Sequence, residues 1–556
     1  MSWKIKEKYR KLLAAEEGHV IKDWGGKLTV CLAYPNHYPT AMGNLGFQTV
    51  YSLCNGLPDV VCERAFLPDA AELREYEKSG GRLLSLESQC PLYEFDVIAF
   101  SVSFENDYLN IPKILHLAAV PPFSSERGGR FPLVIAGGAA LFLNPEPVAD
   151  LLDLVCLGEG EVVLPPLLEL LLAEQDAGRE ALLEKAAHLP GIYVPSLYEV
   201  MPGTASFTPL HGAPPKVKRV FEPELARSPV TTVISAPGAE FSDMFLIELS
   251  RGCPRGCRFC AAGFIYHPYR QRPLELLKEQ AARGLEEKGR LGLVGAAVSD
   301  FREIGELSRF ISGMGGKASV SSLRIDALDR DLLDLLCASG HKTIALAPEG
   351  GSQRLRDLIR KGITEEQILA ACDTLIGRDI LNLKLYFILG LPTETDDDLA
   401  EMTGLIEKIR ERVIAAARKN RRLGSVLLSV NPFVPKPFTP LQWCGMEDLS
   451  SLERKYAFLR RFAGGLSNVE IRLESLREAY LQALLSRGGR GLAPLLVKAR
   501  ETGGWKRAAR ELSIDTEWLV HRTIPLHEPL PWDIIDSGDR ERLVAEYGKA
   551  LGTGGE

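Results

Sequence analysis

Short, mostly apolar runs alternate with amphipathic stretches through the first third of the chain. KLTVCLAYP from Lys27, DVVCERAFLP from Asp59, DVIAFSVSF from Asp96, PLVIAGGAA from Pro132 and DLVCLGEGE from Asp153 read as strands. Helical periodicity separates most of them, and residues 3 to 15 predict an amphipathic lead-in helix. Apolar strands in alternation with helices imply a parallel sheet covered on both faces. Ligands of such sheets sit beyond the strands' C-terminal ends. Those ends here carry Pro35, Ser101, Ser103, Gly137, Gly138, Gly158 and Gly160.

A Pro-, Gly- and Ser-rich stretch without periodicity follows, and a second strand series begins near Phe245 with MFLIELS, LGLVGAAVS, ASVSSLRI, KTIALAPE, LNLKLYFILG and SVLLSVNPF. Six strands with intervening helices predict a second α/β domain, barrel-like or open. After Trp443 the strand signal fades into helical patterning with breaks at Gly488-Gly489 and Gly503-Gly504. The predicted organisation is a lead-in over 1–25, a first α/β domain over 26–190, a linker over 191–240, a second α/β domain over 241–445 and a helical region over 446–556.

The 556 residues are 46% hydrophobic and 25% charged, which excludes disorder, collagen and coiled coil for the whole chain. A net charge of -7 provides no global basic field for nucleic acid, although the helix end carrying Arg418, Lys419, Arg421 and Arg422 leaves a local RNA site open beside its simpler role of answering the helix dipole. The N-terminus has no signal-peptide core, and VVLPPLLELLLAE is too short and too broken to span a bilayer. A soluble cytoplasmic protein is expected. Its 11 cysteines are thinly spread, as free thiols or ligands in a reducing compartment would be.

Chemistry concentrates in RGCPRGCRFCAAG, where Cys253, Cys257 and Cys260 have the spacing C-x-x-x-C-x-x-C just after a predicted strand. Pro254 and Gly256 let the loop curl. Iron–sulfur clusters are held by cysteine thiolates, normally four, so three in one loop leave an iron open to an outside ligand. A zinc site calls for a fourth ligand at suitable spacing, and a ferredoxin-type carrier for a fourth cysteine before proline; this run has neither.

The motif, with an aromatic residue before the third cysteine at the end of a first strand, resembles that of radical S-adenosylmethionine (SAM) enzymes. The resemblance implies a [4Fe-4S] cluster on Cys253, Cys257 and Cys260, with SAM on the open iron and cleaved to a 5′-deoxyadenosyl radical. It implies a (β/α)6 partial barrel and assigns SAM contacts to Phe259, Ala297, Ser299, Arg324, Glu349, Lys384 and Gly390. VGAAVSD, residues 294–300, stands where many members have Gly-Gly-Glu and lacks the glutamate. The last three segments, from LAPEGG onward, look like a subgroup with a cobalamin-binding domain ahead of the barrel. The first α/β domain is similar to that flavodoxin-like Rossmann fold, most clearly in GGAALFLNPEPVADLLDLVCLGEGE. Cobalamin contacts then fall on Ser101, Ser103, Gly137, Gly138, Gly158 and Gly160. NHYPTAMG departs from the cobalt-ligating Asp-x-His-x-x-Gly, so His37 is expected not to ligate cobalt. Methylthiotransferases carry a second cluster on three N-terminal cysteines; Cys31, Cys62 and Cys156 instead read as core.

The resulting expectation is a cobalamin-dependent radical SAM enzyme, a methyltransferase acting on unactivated carbon of a small-molecule or lipid-like substrate. Flavodoxin or ferredoxin would donate electrons. The alternatives are a radical cyclase or rearranging enzyme, an RNA-modifying enzyme, and a non-catalytic iron–sulfur redox or binding module.

Overall fold

The computed structural model describes residues 3–201, 205–536 and 538–552. Behind the helix Trp3–Ala15, the first domain is built on β1 (Leu28–Tyr34), β2 (Val60–Phe66), β3 (Val97–Ser101), β4 (Leu133–Gly137) and β5 (Leu154–Cys156). Every residue of β1 and β2 is buried, because helices cover both faces. These five strands are parallel, and β6 (Ile192–Tyr193) adds an antiparallel edge in the order β2-β1-β3-β4-β5-β6. The chain leaves β1 for one side of the sheet and returns to the other at β3. That reversal opens a crevice at the strands' C-terminal ends. Asn44 caps the helix Leu45–Gly56 beside the crevice by accepting from the Phe47 N–H at 2.9 Å, and its amide donates to Ser103 Oγ at 3.1 Å.

The second domain is a partial barrel of parallel strands. β7 (Phe245–Glu248), β8 (Arg290–Val294) and β9 (Lys317–Val320) form one sheet. β10 (Thr343–Glu349), β11 (Asn382–Leu389), β12 (Ser425–Pro432) and β13 (Val469–Leu473) form the other. Among the described residues a single parallel bridge, Leu323 to Leu346, joins the two halves. Along β11 and β12 fully buried residues under the helices alternate with half-buried residues on the inner face.

Two features depart from the sequence reading. The six expected barrel strands are joined by a seventh, β13, whose VEIRL alternates charged and apolar residues too briefly to stand out among the surrounding helical patterns. The stretch over 191–240 also contributes structure: Tyr198–Val200 pairs with Phe207–Pro209, and Val217–Lys218 pairs with Ile535–Asp536 near the other end of the chain. The C-terminal helices close against the first domain, where the Asn144 amide donates to the Gly488 carbonyl at 2.7 Å and Arg490 pairs with Glu146 at 3.0 Å. Among the described residues no helix is long and apolar enough to cross a membrane.

Gly138 and Gly160 separate backbone necessity from mere smallness. Gly138 has φ +115°, and a Cβ there would lie 2.4 Å from the Val102 carbonyl oxygen; at Gly160 it would meet only side-chain carbons, the nearest at 3.5 Å. Gly138→Ala is therefore expected to lower stability by roughly 1–3 kcal/mol, seen as a lower thermal midpoint of the full chain. Gly160→Ala should leave the midpoint unchanged or slightly raised.

Candidate functional site

The C-terminal ends of the two sheets share one cavity of about 420 Å³. Its first-domain wall carries Ser101, Ser103, Gly137, Gly138, Gly158 and Gly160 among apolar Leu32, Ile135 and Phe142. Its opposite wall carries Ser250, Gly252, Tyr266, Gly295 and Ala296. The Phe142 and Tyr266 rings meet edge to face across the junction, 6.1 Å between centroids. Ser250 Oγ is buried and unpartnered, which marks a place where a bound group has a hydrogen bond to satisfy. His37 stands outside the cavity with its ring Nδ1 3.0 Å from the Leu67 carbonyl oxygen.

A buried charge knot fastens the walls together. Glu159 accepts from Arg270 at 2.6 Å and from Arg251 at 2.8 Å, and Arg251 also reaches Glu161 and Glu248. Burial opposes the Glu159 charge, but Arg270 and Arg251 outweigh it and hold the carboxyl below the ordinary glutamate range. Glu159 and Glu161 belong to LGEGE after β5, whereas Glu248 ends β7 and the arginines lie in the segments flanking the cysteine loop, so the knot crosses from one domain to the other.

Arg251, Arg255 and Arg258 each precede a cysteine by two residues, and each reaches a different support. Arg251 holds the first domain. Arg255 pairs with Asp300 and, at 3.2 Å, with Asp326, beyond β8 and β9; Arg324 pairs with Asp326 at 2.9 Å. Arg258 donates to the Leu358 carbonyl at 2.7 Å and pairs with Glu546 at 3.1 Å. Gly252, at φ +82°, passes so close to the Tyr266 carbonyl oxygen that a Cβ would stand 2.4 Å from it.

Within this brace Cys257 is buried, Cys253 and Cys260 are half-buried, and all three are free thiols. Burial pushes Cys253 up, and it pushes Cys260 up to about 11, with the charges of Cys257, Cys253 and Glu349 acting in the same direction. The three thiols thus feel one another. A cationic metal centre reverses that repulsion by binding thiolates and releasing their protons. Among the described residues no three His, Cys, Asp or Glu side chains converge as tightly as a single ion requires. An iron–sulfur cluster, by contrast, places its thiolates on separate irons, so the loop's donor set fits a cluster.

The expected SAM residues divide. Ala297 is buried at the start of the turn Val298–Asp300, Ser299 accepts from the Arg324 N–H at 3.3 Å, and Phe259 packs half-buried against the core. Glu349 ends β10 with φ +64°, an unfavourable conformation for its side chain, and among the described residues its Oε1 is paired with Lys361 at 3.3 Å and its Oε2 has no hydrogen-bond partner. Two expected residues are not brought into this group. Lys384 is in register with Ala345, whereas Glu349 is in register with Phe387, so the lysine lies roughly 10 Å lower along the strand. Gly390 faces a buried knot behind the strand end, where Lys455 pairs with Glu394 at 2.7 Å and Glu447 at 2.8 Å; a Cβ on Gly390 would sit 2.8 Å from the Glu447 carboxylate. Sequence reasoning missed Glu159, Arg251, Arg255, Asp300 and Asp326. Arginine recurring two positions before each cysteine was the available signal.

Residues 46–195 match the family "Radical SAM proteins, N-terminal", and residues 247–406 match the "Radical SAM superfamily". An uncharacterized protein of Methanocaldococcus jannaschii is 32% identical over 434 residues, covering 77% of this chain and 85% of that protein. A tRNA-2-methylthio-N(6)-dimethylallyladenosine synthase of Thermotoga petrophila is 27% identical over 190 residues, covering 32% of this chain and 42% of that enzyme. Among solved structures, the cobalamin-dependent SAM radical enzyme OxsB with aqua-cobalamin and SAM bound aligns with TM-score 0.47 at 14% identity, over 95% of this chain and 80% of that one.

Removing one partner from a buried ion pair typically costs about 3–5 kcal/mol, so Glu159→Ala should strongly lower the thermal midpoint and speed proteolysis between the domains. The pH dependence follows from the depressed carboxyl. Its stabilisation is complete above the ordinary glutamate value of about 4.5 and is lost as pH falls through the lower folded value. Glu159→Gln should flatten this acid limb of a stability-against-pH curve.

Proposed function

From the premise that the chain belongs to the radical SAM superfamily and is a radical SAM enzyme, we propose that it is a corrinoid-dependent member that methylates an unactivated carbon. The observation that carries this reading is the shared cavity, which joins Ser101, Gly137 and Gly158 of a Rossmann crevice to Gly252 and Ala296 beside the cysteine loop. One cofactor domain facing the cluster loop across one chamber is the arrangement that two cofactors acting on one substrate carbon require.

Cys253, Cys257 and Cys260 would hold the [4Fe-4S] cluster, which supplies the electron that cleaves SAM to methionine and the hydrogen-abstracting 5′-deoxyadenosyl radical. The crevice, apolar with small residues at its strand ends, suits the aromatic base of a cobalamin nucleotide tail, and the corrinoid supplies the methyl group. The chain's own residues orient and shelter. Arg251, Arg255 and Arg258 hold the loop from three sides. Phe142 and Tyr266 meet edge to face across the junction and narrow the chamber in which a bound substrate would be held. The Oε2 of Glu349, unpartnered among the described residues, would be available to a ribose hydroxyl.

Methylthio transfer, the activity named for the tRNA-modifying relative, has weaker support. Cys31, Cys62 and Cys156 are buried in the first-domain core, and burial pushes all three thiols up, Cys156 to about 12.

Anaerobic reconstitution should load about four irons per chain, and Cys257→Ala should lose them while retaining corrinoid. Single turnover with methyl-labelled SAM should place the label on product carbon. Failure of the wild-type holoenzyme to bind corrinoid at saturation rejects methyl transfer by this route. Converted but unlabelled product favours cyclisation or rearrangement.

A further inference from the structure

Lys384 sits on the inner face of the barrel, half-buried, and it is absent from the cavity shared by the two domains. Its ammonium lies 4.5 Å from the centroid of the Tyr386 ring. Among the described residues no carboxylate stands within ion-pair distance of it. Glu470 of β13 shares its cross-strand row, because Lys384 is in register with Leu427 and Leu427 with Glu470, but two strand spacings, roughly 10 Å, separate them. The ring stabilises the cation only in part. A half-buried cation without a counter-ion is a standing desolvation cost that an incoming anion relieves.

The lysine also has a chamber. A second cavity, of about 190 Å³, lies at the seam where the two half-barrels meet, lined by Lys384, Tyr386, Ser321, Ser322, His341 and Thr343. Strand β9 has ended at this level, so Ser321 and Ser322 present exposed hydroxyls. The Tyr386 hydroxyl has no described hydrogen-bond partner. His341 is already turned to the Ala318 carbonyl oxygen, 2.9 Å from its Nε2. One cation and several free hydroxyl donors around a small space is the donor set of an oxyanion site. The cavity holds no residue of the cysteine loop and lies lower along the strands than Glu349, which separates it from the expected SAM residues.

We propose that this floor of the barrel is a substrate subsite for an oxyanion, a carboxylate or a phosphate, with Lys384 as its charge and Tyr386, Ser321 and Ser322 as hydrogen-bond donors. The assignment to substrate rests on the radical SAM reading of the barrel. A substrate anchored by its anion on the floor would present its carbon skeleton upward toward the cysteine loop. Remote binding energy of this kind orients an inert carbon that offers no other handle.

The test uses the full-length reconstituted holoenzyme and measures labelling of each lysine by trinitrobenzenesulfonate through peptide mass mapping. Inorganic phosphate and acetate are compared with chloride at equal ionic strength, and SAM forms a further arm. Phosphate or acetate should slow labelling of Lys384 about fivefold when present at about four times its dissociation constant, while exposed Lys78 of the first domain is unaffected. Protection by phosphate alone identifies a phosphorylated substrate, and protection by acetate alone a carboxylate. Tyr386→Phe, which keeps the ring, and Ser322→Ala should each weaken the protection. No selective protection, undiminished protection in both variants, or equal protection by SAM alone overturns the proposal. The last outcome returns Lys384 to SAM. Failure of the radical SAM reading is visible separately, as a preparation that takes up no iron whatever the lysine does.

Discussion

Everything at this site depends on the Glu159 carboxylate held between Arg251 and Arg270. Two parallel sheets, each opening its ligand crevice at its strands' C-terminal ends, are useful together only when those ends face each other. Buried ion pairs are a poor source of net stability but a strong source of orientation, because a displaced partner leaves a bare charge out of water. LGEGE performs both tasks. Gly158 and Gly160 keep the cavity wall thin, and Glu159 and Glu161 reach across to the cysteine loop. Separation of the domains would therefore expose the cavity and release the loop in one movement.

The cysteine loop follows the same logic on a smaller scale. In RGCPRGCRFC the arginine two positions before each cysteine points outward to its own support: the first domain, the ends of β8 and β9, and the C-terminal helix bearing Glu546. The thiols are close enough to repel one another once ionised. Three struts fix a loop with little regular structure of its own, and their cationic heads lie in the same short segment as thiolates that must bear negative charge. The C-terminal region is tied to the first domain through the Asn144 amide and the Arg490–Glu146 pair, so it is docked rather than an appendage.

Much of this was legible in the sequence because it is local. Runs such as LTVCLAY declare strands buried on both faces, small residues at strand ends mark the crevice, and the cysteine spacing carries its chemistry within eight residues. Membership in the radical SAM superfamily was legible in such strings, since the three cysteines and the aromatic residue beside the third fall within eight consecutive positions. The placement of Ser101, Gly137 and Gly158 around one cavity likewise follows from the rule that parallel strands present their ends together.

Tertiary structure alone decided what depends on distance between remote segments. Glu159 and Arg251 are 92 residues apart, and nothing local to either names the other. Strand β13 is too short and too charged to declare itself until β12 offers an edge to pair with. Lys384 and Glu349 both look like strand-borne charges beside apolar neighbours, yet strand register places them at different heights in the barrel. Gly390 resembles a ligand-facing glycine, but the space beside it is filled by Glu447. Sequence determines which faces are apolar and which residue types stand at strand ends, because these are properties of neighbouring positions. Register and domain docking are set by the fit of whole surfaces, and they determine which of those residues meet.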